Sequence, residues 1–388
     1  MIFLTSEEKQ FVADHANSDP SQLMLSEKRF PKDRLHFLVQ QIAGQQKART
    51  KFSHLPYSEL LYPPVENIAQ SSSSATALFK TSLISGDRLV DLTGGFGIDS
   101  LYFSKVFKHV HYVEPQQYLH ELVEYNSNIL NVQNLSIHSD DAGNYLKKSG
   151  ATDYFYIDPS RRKQGRRYFK IEDCEPNVIE LLPSLIKKAK EGVLLKLSPM
   201  ADITEIIRVL PSVSRVYVVD HQKETRELLV LFQPGFKDEP NVNYANLEFP
   251  DHNLSFLLSE EKRTETKYSE IKDYIFDPHS GIHKCGCYGI LGDRFNLEKI
   301  HPNSHFFTGN QVEWSFPGRI FRVMNKLKYN HKAIGKGGQS FNVISRNFPD
   351  KPSQIIKKLK IKEGGEDFLV ASTDLSNNKV LLRCERIK

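Results

Sequence analysis

Acidic side chains stand at the ends of several short apolar runs, and their spacing marks where chemistry would gather. Asp91 closes Leu89-Val90, and Glu114 closes Val110-His111-Tyr112-Val113. The pair Asp140 and Asp141 follows Leu135-Ser136-Ile137-His138, and Asp158 closes Tyr154-Phe155-Tyr156-Ile157. Between the first two acids lies a glycine-rich stretch, Thr93-Gly94-Gly95-Phe96-Gly97. Glycine lets the backbone turn sharply and come close to a ligand, and a helix starting after such a turn offers unpaired N–H groups. Strand, tight turn and helix in that order open a nucleotide-binding α/β unit.

Two cofactors use that arrangement. A dinucleotide needs Gly-x-Gly-x-x-Gly so that its pyrophosphate can sit on the helix terminus. Here Gly95-Phe96-Gly97 is followed by Ile98-Asp99-Ser100, so the third glycine is missing, and Asp99 brings negative charge to the pyrophosphate position. An oxidoreductase reading fails on that glycine. Asp91 is better suited to a ligand carrying an ammonium and a sulfonium, as S-adenosylmethionine does. Glu114, 23 residues further on, can accept hydrogen bonds from both ribose hydroxyls of either cofactor. An aspartate past the third run can accept from an adenine amino group, and Asp141 fits better than Asp140. The competing reading is an α/β turn whose acids only cap helices and which holds no ligand.

Asp158 is the group that would face an acceptor. Its carboxylate, with the Pro159 carbonyl, can accept hydrogen bonds from an exocyclic amine and raise the electron density on nitrogen. Ser160 and Arg161 complete this tetrapeptide, for which a plain turn is the alternative. Arg161, Arg162, Lys163, Arg166 and Arg167 crowd into seven residues, with Tyr168 and Phe169 adjoining. Guanidinium groups suit phosphates, and an aromatic beside them can stack on an extruded base.

The elements that must position these groups follow from periodicity. Leu35, Leu38, Val39 and Ile42 share one helical face, and Tyr62-Pro63-Pro64 breaks any helix. The serine run Gln70 to Ser74 caps a helix whose apolar face is Ala75, Leu78, Phe79 and Leu83; a role at the cofactor mouth is equally open. Leu101, Phe103, Val106 and Phe107 have helical spacing after the glycine turn. A fifth strand is Val193 to Leu197, leading to a helix capped by Asp202. Val216 to Val219 and Leu228 to Phe232 are separated by eight residues, too few for a crossover helix, so this last pair is antiparallel. Residues 236–270 are polar and mixed. Tyr274 to Arg294 gives short strand-like pieces around Gly281, Gly286 and Gly289, then a helix near Asn296. Arg319 to Val323 is a strand, Gly335 to Gly338 a turn and Pro352 to Leu359 a helix. Phe368 to Val370 and Val380 to Leu382 form a closing strand pair.

At 388 residues the chain is long enough for two or three domains, and its 39% hydrophobic and 26% charged content is that of an ordinary globular protein. No run approaches the ~18 apolar residues of a membrane span. Four cysteines form no disulfide framework, which points to a reducing cytoplasm. His283-Lys284-Cys285-Gly286-Cys287 lacks a second cluster at metal-ligand spacing, so buried strand residues are expected there and no metal. The net charge of +5 hides an asymmetry. Residues 319–388 hold 16 Lys/Arg against 6 Asp/Glu, and the remainder holds 36 against 41. One basic domain on a slightly acidic body suggests a polyanionic partner, with nucleic acid the obvious one and a solvated lysine-rich surface the alternative. Arg322, Lys326 and Lys336 are its candidate phosphate contacts.

Asp-Leu-Thr-Gly-Gly-Phe-Gly (91–97), Tyr-Val-Glu (112–114), Asp-Asp-Ala (140–142) and Asp-Pro-Ser-Arg-Arg (158–162) together resemble the class I S-adenosylmethionine-dependent methyltransferases. Lys196-Leu-Ser-Pro-Met200, His301-Pro-Asn-Ser-His305 and the 319–388 stretch narrow the likeness to a bacterial group, typical of Bacteroidetes, with a small ferredoxin-like module and a THUMP-like C-terminal domain. The resemblance implies an α/β, Rossmann-like fold whose seven-stranded sheet has an antiparallel last strand. A helical N-terminal region (1–80) would precede the methyltransferase domain (81–235), followed by a linker and ferredoxin-like module (236–318) and the basic THUMP-like domain (319–388). It also implies structured RNA, tRNA or rRNA, as substrate. Asp91, Gly95 and Gly97 would contact the methionine end, Glu114 the ribose and Asp141 the adenine, with Thr93, Gly94 and Asp140 completing the cofactor set. Asp158 to Arg161 would occupy the place of the Asp-Pro-Pro-aromatic motif of amino-methylating enzymes. Thr93 departs from the glycine commonest there, and Ser160 and Arg161 depart from the proline and aromatic. A non-catalytic nucleic-acid-binding protein that keeps the fold and a DNA methyltransferase are the alternatives; oligomeric state is left open.

Overall fold

Residues 3–161, 171–330 and 339–388 are described by the computed structural model, Arg161 through its backbone alone. The chain divides into two compact units, Met1–Ser214 with Leu228–Asp238, and Arg215–Glu227 with Glu239–Lys388.

In the first unit the strands are β1 (Gly86–Asp91), β2 (Phe107–Val113), β3 (Leu135–His138), β4 (Thr152–Ile157) and β5 (Ala189–Leu197). β6 (Val213–His221) and β7 (Glu224–Phe232) form a hairpin that passes from one unit to the other. These seven run in the order β6-β7-β5-β4-β1-β2-β3 within a sheet of nine, two strands more than the seven expected. β1 to β5 pair in parallel and β7 runs antiparallel to β5. The expected antiparallel strand is present. Its inner strands are apolar on both faces, as a sheet covered on both sides requires: Val110, Tyr112, Phe155, Ile157, Val193 and Leu195 are buried. The hairpin is tighter than its sequence suggests. Only Gln222 and Lys223 link the strands, both at positive φ (53° and 64°), the geometry a two-residue turn needs to follow strand twist.

Residues 1–80 are part of this unit rather than a free-standing one. Leu35, Leu38, Val39 and Ile42 of the helix Lys32–Lys51 are buried together with Phe11, Val12 and Leu23. Further along, Ala48, Phe52, Tyr62, Ile68 and Ala77 enclose Phe96, Ile98 and Tyr102, so the helical region packs onto the glycine turn itself. Two local expectations change. The helix after the turn is short, Ile98–Phe103, because Phe107 already belongs to β2. In the helix Ser74–Leu83 the apolar face is rotated: Leu78 is 48% exposed, whereas Lys80 is wholly buried. An ion pair to Asp99 holds Lys80 inside.

In the second unit β8 (Asn241–Asn246) pairs in parallel with β6, and β9 (Leu254–Leu257) antiparallel with β8. The polar stretch 236–270 therefore carries two strands. A second, seven-stranded sheet has Tyr274–Pro278 antiparallel to Gly318–Leu327, which in turn pairs antiparallel with Lys379–Arg386. The expected closing pair is present, Lys362–Thr373 with Lys379–Arg386, and it is antiparallel; Pro352–Leu359 is helical as expected. Residues 280–294 are not strands. They form helices Ser280–Cys285 and Tyr288–Arg294, separated by Gly286 at φ +69°, a left-handed helix end. Cys285 and Cys287 are therefore buried at a helix junction, not on a strand. The expected turn Gly335 to Gly338 lies outside the described residues.

Candidate functional site

Parallel register brings the carboxyl ends of four strands together. Asp91 lies opposite Tyr112 on β2 and Tyr156 on β4, and Val113 lies opposite His138 on β3. Asp91, Glu114, Asp140 and Asp158 consequently leave the sheet at one edge, where ligands of doubly wound folds bind.

The glycine turn is held by its own acids. Asp91 is buried and accepts from Thr93 N at 3.0 Å and from Ser100 Oγ at 2.6 Å. Burial pushes its carboxyl up to about 7, against the pull of those two hydrogen bonds. Glu114 accepts from Gly95 N at 3.1 Å through one oxygen and from Gln116 N at 3.0 Å through the other. Tyr112 donates its hydroxyl to the Gly95 carbonyl at 2.6 Å. Gly94 lies against the Tyr112 ring, where a Cβ would fall 2.2 Å from Cε2. Gly97, at φ +80°, starts the helix. Gly95 differs: at φ +52° it has nothing nearer to a Cβ than the Thr93 carbonyl at 3.8 Å, so its backbone borders open space.

Asp158 sits half-buried beside Lys196, whose ammonium contacts its Oδ2, and its N–H donates to Thr93 Oγ1 at 2.6 Å. Burial raises the Asp158 carboxyl, and the Lys196 charge opposes that rise. Thr93 thus joins the turn to the β4 end, a reason for threonine where glycine is commoner. Pro159 follows, and Ser160 and Arg161 pair with Glu175 and Cys174 in a two-residue ladder.

Asp141 caps the helix Ala142–Lys148, accepting from Asn144 N at 2.9 Å and from the Asn144 side chain. Asp140 receives Lys148 at 3.0 Å and, with Ile137, His138 and Tyr145, lines a cavity of ≈ 390 Å³. Asp140 rather than Asp141 forms that wall.

Five further residues, Asp99, Ser72, Tyr156, Lys80 and Lys196, complete the edge. Asp99 Oδ2 accepts from Ser72 Oγ at 2.8 Å and Tyr156 Oη at 2.7 Å, while Lys80 Nζ approaches Oδ1 at 3.3 Å. Lys80 also donates to Ser72 Oγ at 2.9 Å. Burial pushes the Asp99 carboxyl up, but Lys80, Lys196 and the two hydroxyls outweigh it and hold the group below its ordinary range. Within the serine run, Ser73 does the capping and Ser72 meets Asp99. A lysine eight residues beyond Ser72 and four beyond Thr76, on a helix otherwise poor in charge, is the sequence signal for this network. The fifth residue, Lys196, meets Asp158 as described above.

Arg162, Lys163, Arg166, Arg167 and Lys336 lie outside the described residues. Arg322 pairs with Glu385 at 3.3 Å and Lys326 with Asp374 at 3.3 Å, both cations exposed.

Comparison with known proteins bears on these parts. Residues 274–317 match a ferredoxin-like domain, and residues 318–386 match a THUMP domain-like family. The crystal structure of a "putative methyltransferase" from Porphyromonas gingivalis W83 superposes with a TM-score of 0.85, at 27% identity, covering 100% of both chains. The chain has the class I methyltransferase fold. Two uncharacterized S-adenosylmethionine-dependent methyltransferases from strains of Mycobacterium tuberculosis are 22% identical over 178 residues, 46% of this chain. The match spans about half the length of these curated relatives, 47%. Among the described residues no helix is long and apolar enough to cross a membrane, and no group of His, Cys, Asp and Glu is placed to hold a metal ion.

Proposed function

We propose that this chain is an S-adenosylmethionine-dependent methyltransferase acting on a base in structured RNA, tRNA or rRNA. The full-length likeness to the Porphyromonas protein carries the reading, and the glycine turn supports it. The donor set fits the cofactor: a Cβ at Gly95 would meet nothing nearer than 3.8 Å, so the turn is not crowded there, and acids at four adjacent strand ends suit a cationic ligand with a ribose. When bound, the cofactor supplies an electrophilic methyl carbon on sulfur, and the protein supplies alignment.

Glu114 is fixed by two backbone N–H groups and keeps lone pairs on both oxygens for the ribose hydroxyls. Gly95 and Gly97 line the methionine end, with Asp91 beneath them buttressing the turn through Thr93 and Ser100. Asp140 and Asp141 border the adenine side. Asp158, paired with Lys196, accepts a hydrogen bond from the acceptor's N–H, orienting its lone pair toward the methyl group. The RNA part rests on the +10 balance of residues 319–388 and on their THUMP domain-like match. In this reading Arg161, Arg162, Lys163, Arg166 and Arg167 meet phosphates near the site, and Arg322, Lys326 and Lys336 meet them further away. All four cysteines are buried, and in this reading the protein works in a reducing cytoplasm.

The test is transfer of a labelled methyl group from S-adenosylmethionine to bulk RNA, followed by mass spectrometry of the nucleosides. RNA left unlabelled while the protein binds the cofactor would refute the RNA assignment; no cofactor binding would refute the activity.

A further inference from the structure

The edge of the first sheet holds five charges in one neighbourhood. Asp91 stands opposite Tyr156, whose hydroxyl reaches Asp99, and Asp158 follows Tyr156 by two residues on the same strand end. Lys80 is paired with Asp99 and Lys196 with Asp158. Asp91 also feels Asp99 and Asp158, and Asp158 feels Asp99 and Lys80. Three carboxyl groups thus share two ammonium groups, an excess of negative charge once Asp91 is ionised and before Glu114 is added. Lys80 is the unexpected member. It is wholly buried on a helix from the N-terminal region, although a charge removed from water is costly unless partnered. Solvation of that helix would be served better by an exposed lysine, and packing by an apolar residue.

The donor and its product differ in charge. S-adenosylmethionine carries a sulfonium, whereas S-adenosylhomocysteine, which leaves after transfer, has a neutral thioether. A site that retained both equally would be blocked by its own product. We propose that Lys80, acting through Asp99, sets the charge of the cofactor cradle and so limits how strongly it prefers the cationic donor over the neutral product, tempering the hold of the acidic rim on the sulfonium. This rests on the cofactor reading above. Lys80 is a positioning residue in this scheme: it balances Asp99, and Asp99, with Asp91 and Asp158, supplies the field that the sulfonium meets. At an effective dielectric near 20, one unit of charge about 10 Å away changes a binding constant by roughly tenfold.

Calorimetric titration of both nucleosides at pH 8.5, with Asp91 ionised, tests this on the full-length protein. The readout is the affinity for S-adenosylmethionine divided by that for S-adenosylhomocysteine. Lys80→Met removes a positive charge, and the ratio should rise about tenfold. Asp99→Asn removes a negative charge, and it should fall by a similar factor. The double variant restores the balance and should return the ratio to its native value, as should Lys80→Arg. Tyr156→Phe breaks a hydrogen bond to Asp99 without changing charge and should leave the ratio alone. A merely structural role would weaken both ligands together, so a ratio unmoved by Asp99→Asn, or moved in the same direction by both single variants, overturns the proposal. Native protein that binds neither nucleoside instead overturns the cofactor reading beneath it.

Discussion

Replacing Gly94 by alanine would put a methyl group 2.2 Å from Cε2, 2.4 Å from Cδ2 and 2.7 Å from Cζ of Tyr112. The ring cannot simply step aside. Tyr112 is fully buried, and its hydroxyl is tied to the Gly95 carbonyl at 2.6 Å, so moving it disturbs the same turn. Overpacking of a closed site costs about 1–3 kcal/mol, and contact this close belongs at the upper end. For a unit of this size each kcal/mol lowers the melting midpoint by ~2–4 °C, so Gly94→Ala should lose about 6–12 °C. Gly95→Ala is the control. Its φ of +52° charges a non-glycine residue, but a Cβ there meets nothing nearer than 3.8 Å. Only the left-handed backbone cost of ~1–2 kcal/mol remains, a loss of about 2–8 °C. Combining Gly94→Ala with Tyr112→Leu should cost less than the two single losses added, because the smaller side chain vacates the space the methyl needs. Differential scanning calorimetry gives all four midpoints. A Gly94→Ala midpoint no lower than that of Gly95→Ala, or strict additivity in the double variant, would show that steric closure of the turn is not what makes Gly94 necessary.

Asp158→Ala should abolish methyl transfer while calorimetric affinity for S-adenosylmethionine changes little; equal loss of cofactor binding would place Asp158 elsewhere. Arg322→Ala with Lys326→Ala should reduce the slope of log affinity for RNA against log salt by about one to two, since both cations are exposed and can reach a phosphate. An unchanged slope removes those two residues from the RNA interface. Asp91 binds its proton more tightly in the folded state, about 7 against the ordinary 3.8, so its contribution is fully present below pH 4 and is lost as pH rises toward 7. Asp91→Asn, which does not titrate, should therefore flatten the decline of stability between pH 4 and pH 7 in denaturant titrations; a variant curve parallel to the native one would contradict the buried-carboxyl assignment.

Much of the first sheet was legible because a parallel strand covered on both faces must be apolar throughout, and each such run ends in a polar residue where the sheet meets solvent. Asp91, Glu114, Asp141 and Asp158 could thus be placed at one edge from sequence, and the spacing of the last two strands allowed only a hairpin; that Asp140 and not Asp141 lines the cavity there was not legible. Short elements were less legible. Residues 280–294 carry glycines that suit a turn, a bulge or a helix end equally, and only packing made Gly286 the junction of two helices. Local pattern also misoriented the helix Ser74–Leu83, since a lysine ordinarily marks the solvent face. Whether Lys80 points inward depends on a carboxylate 19 positions away and on a tyrosine from another strand, contacts that no local period encodes. The residue types that could hold a charged cofactor are therefore written in the chain, as are the strand ends that carry them. Which carboxylates are spent on capping and closing the turn, and which keep a counter-charge, is decided only when distant segments are buried together and each charge must find a partner.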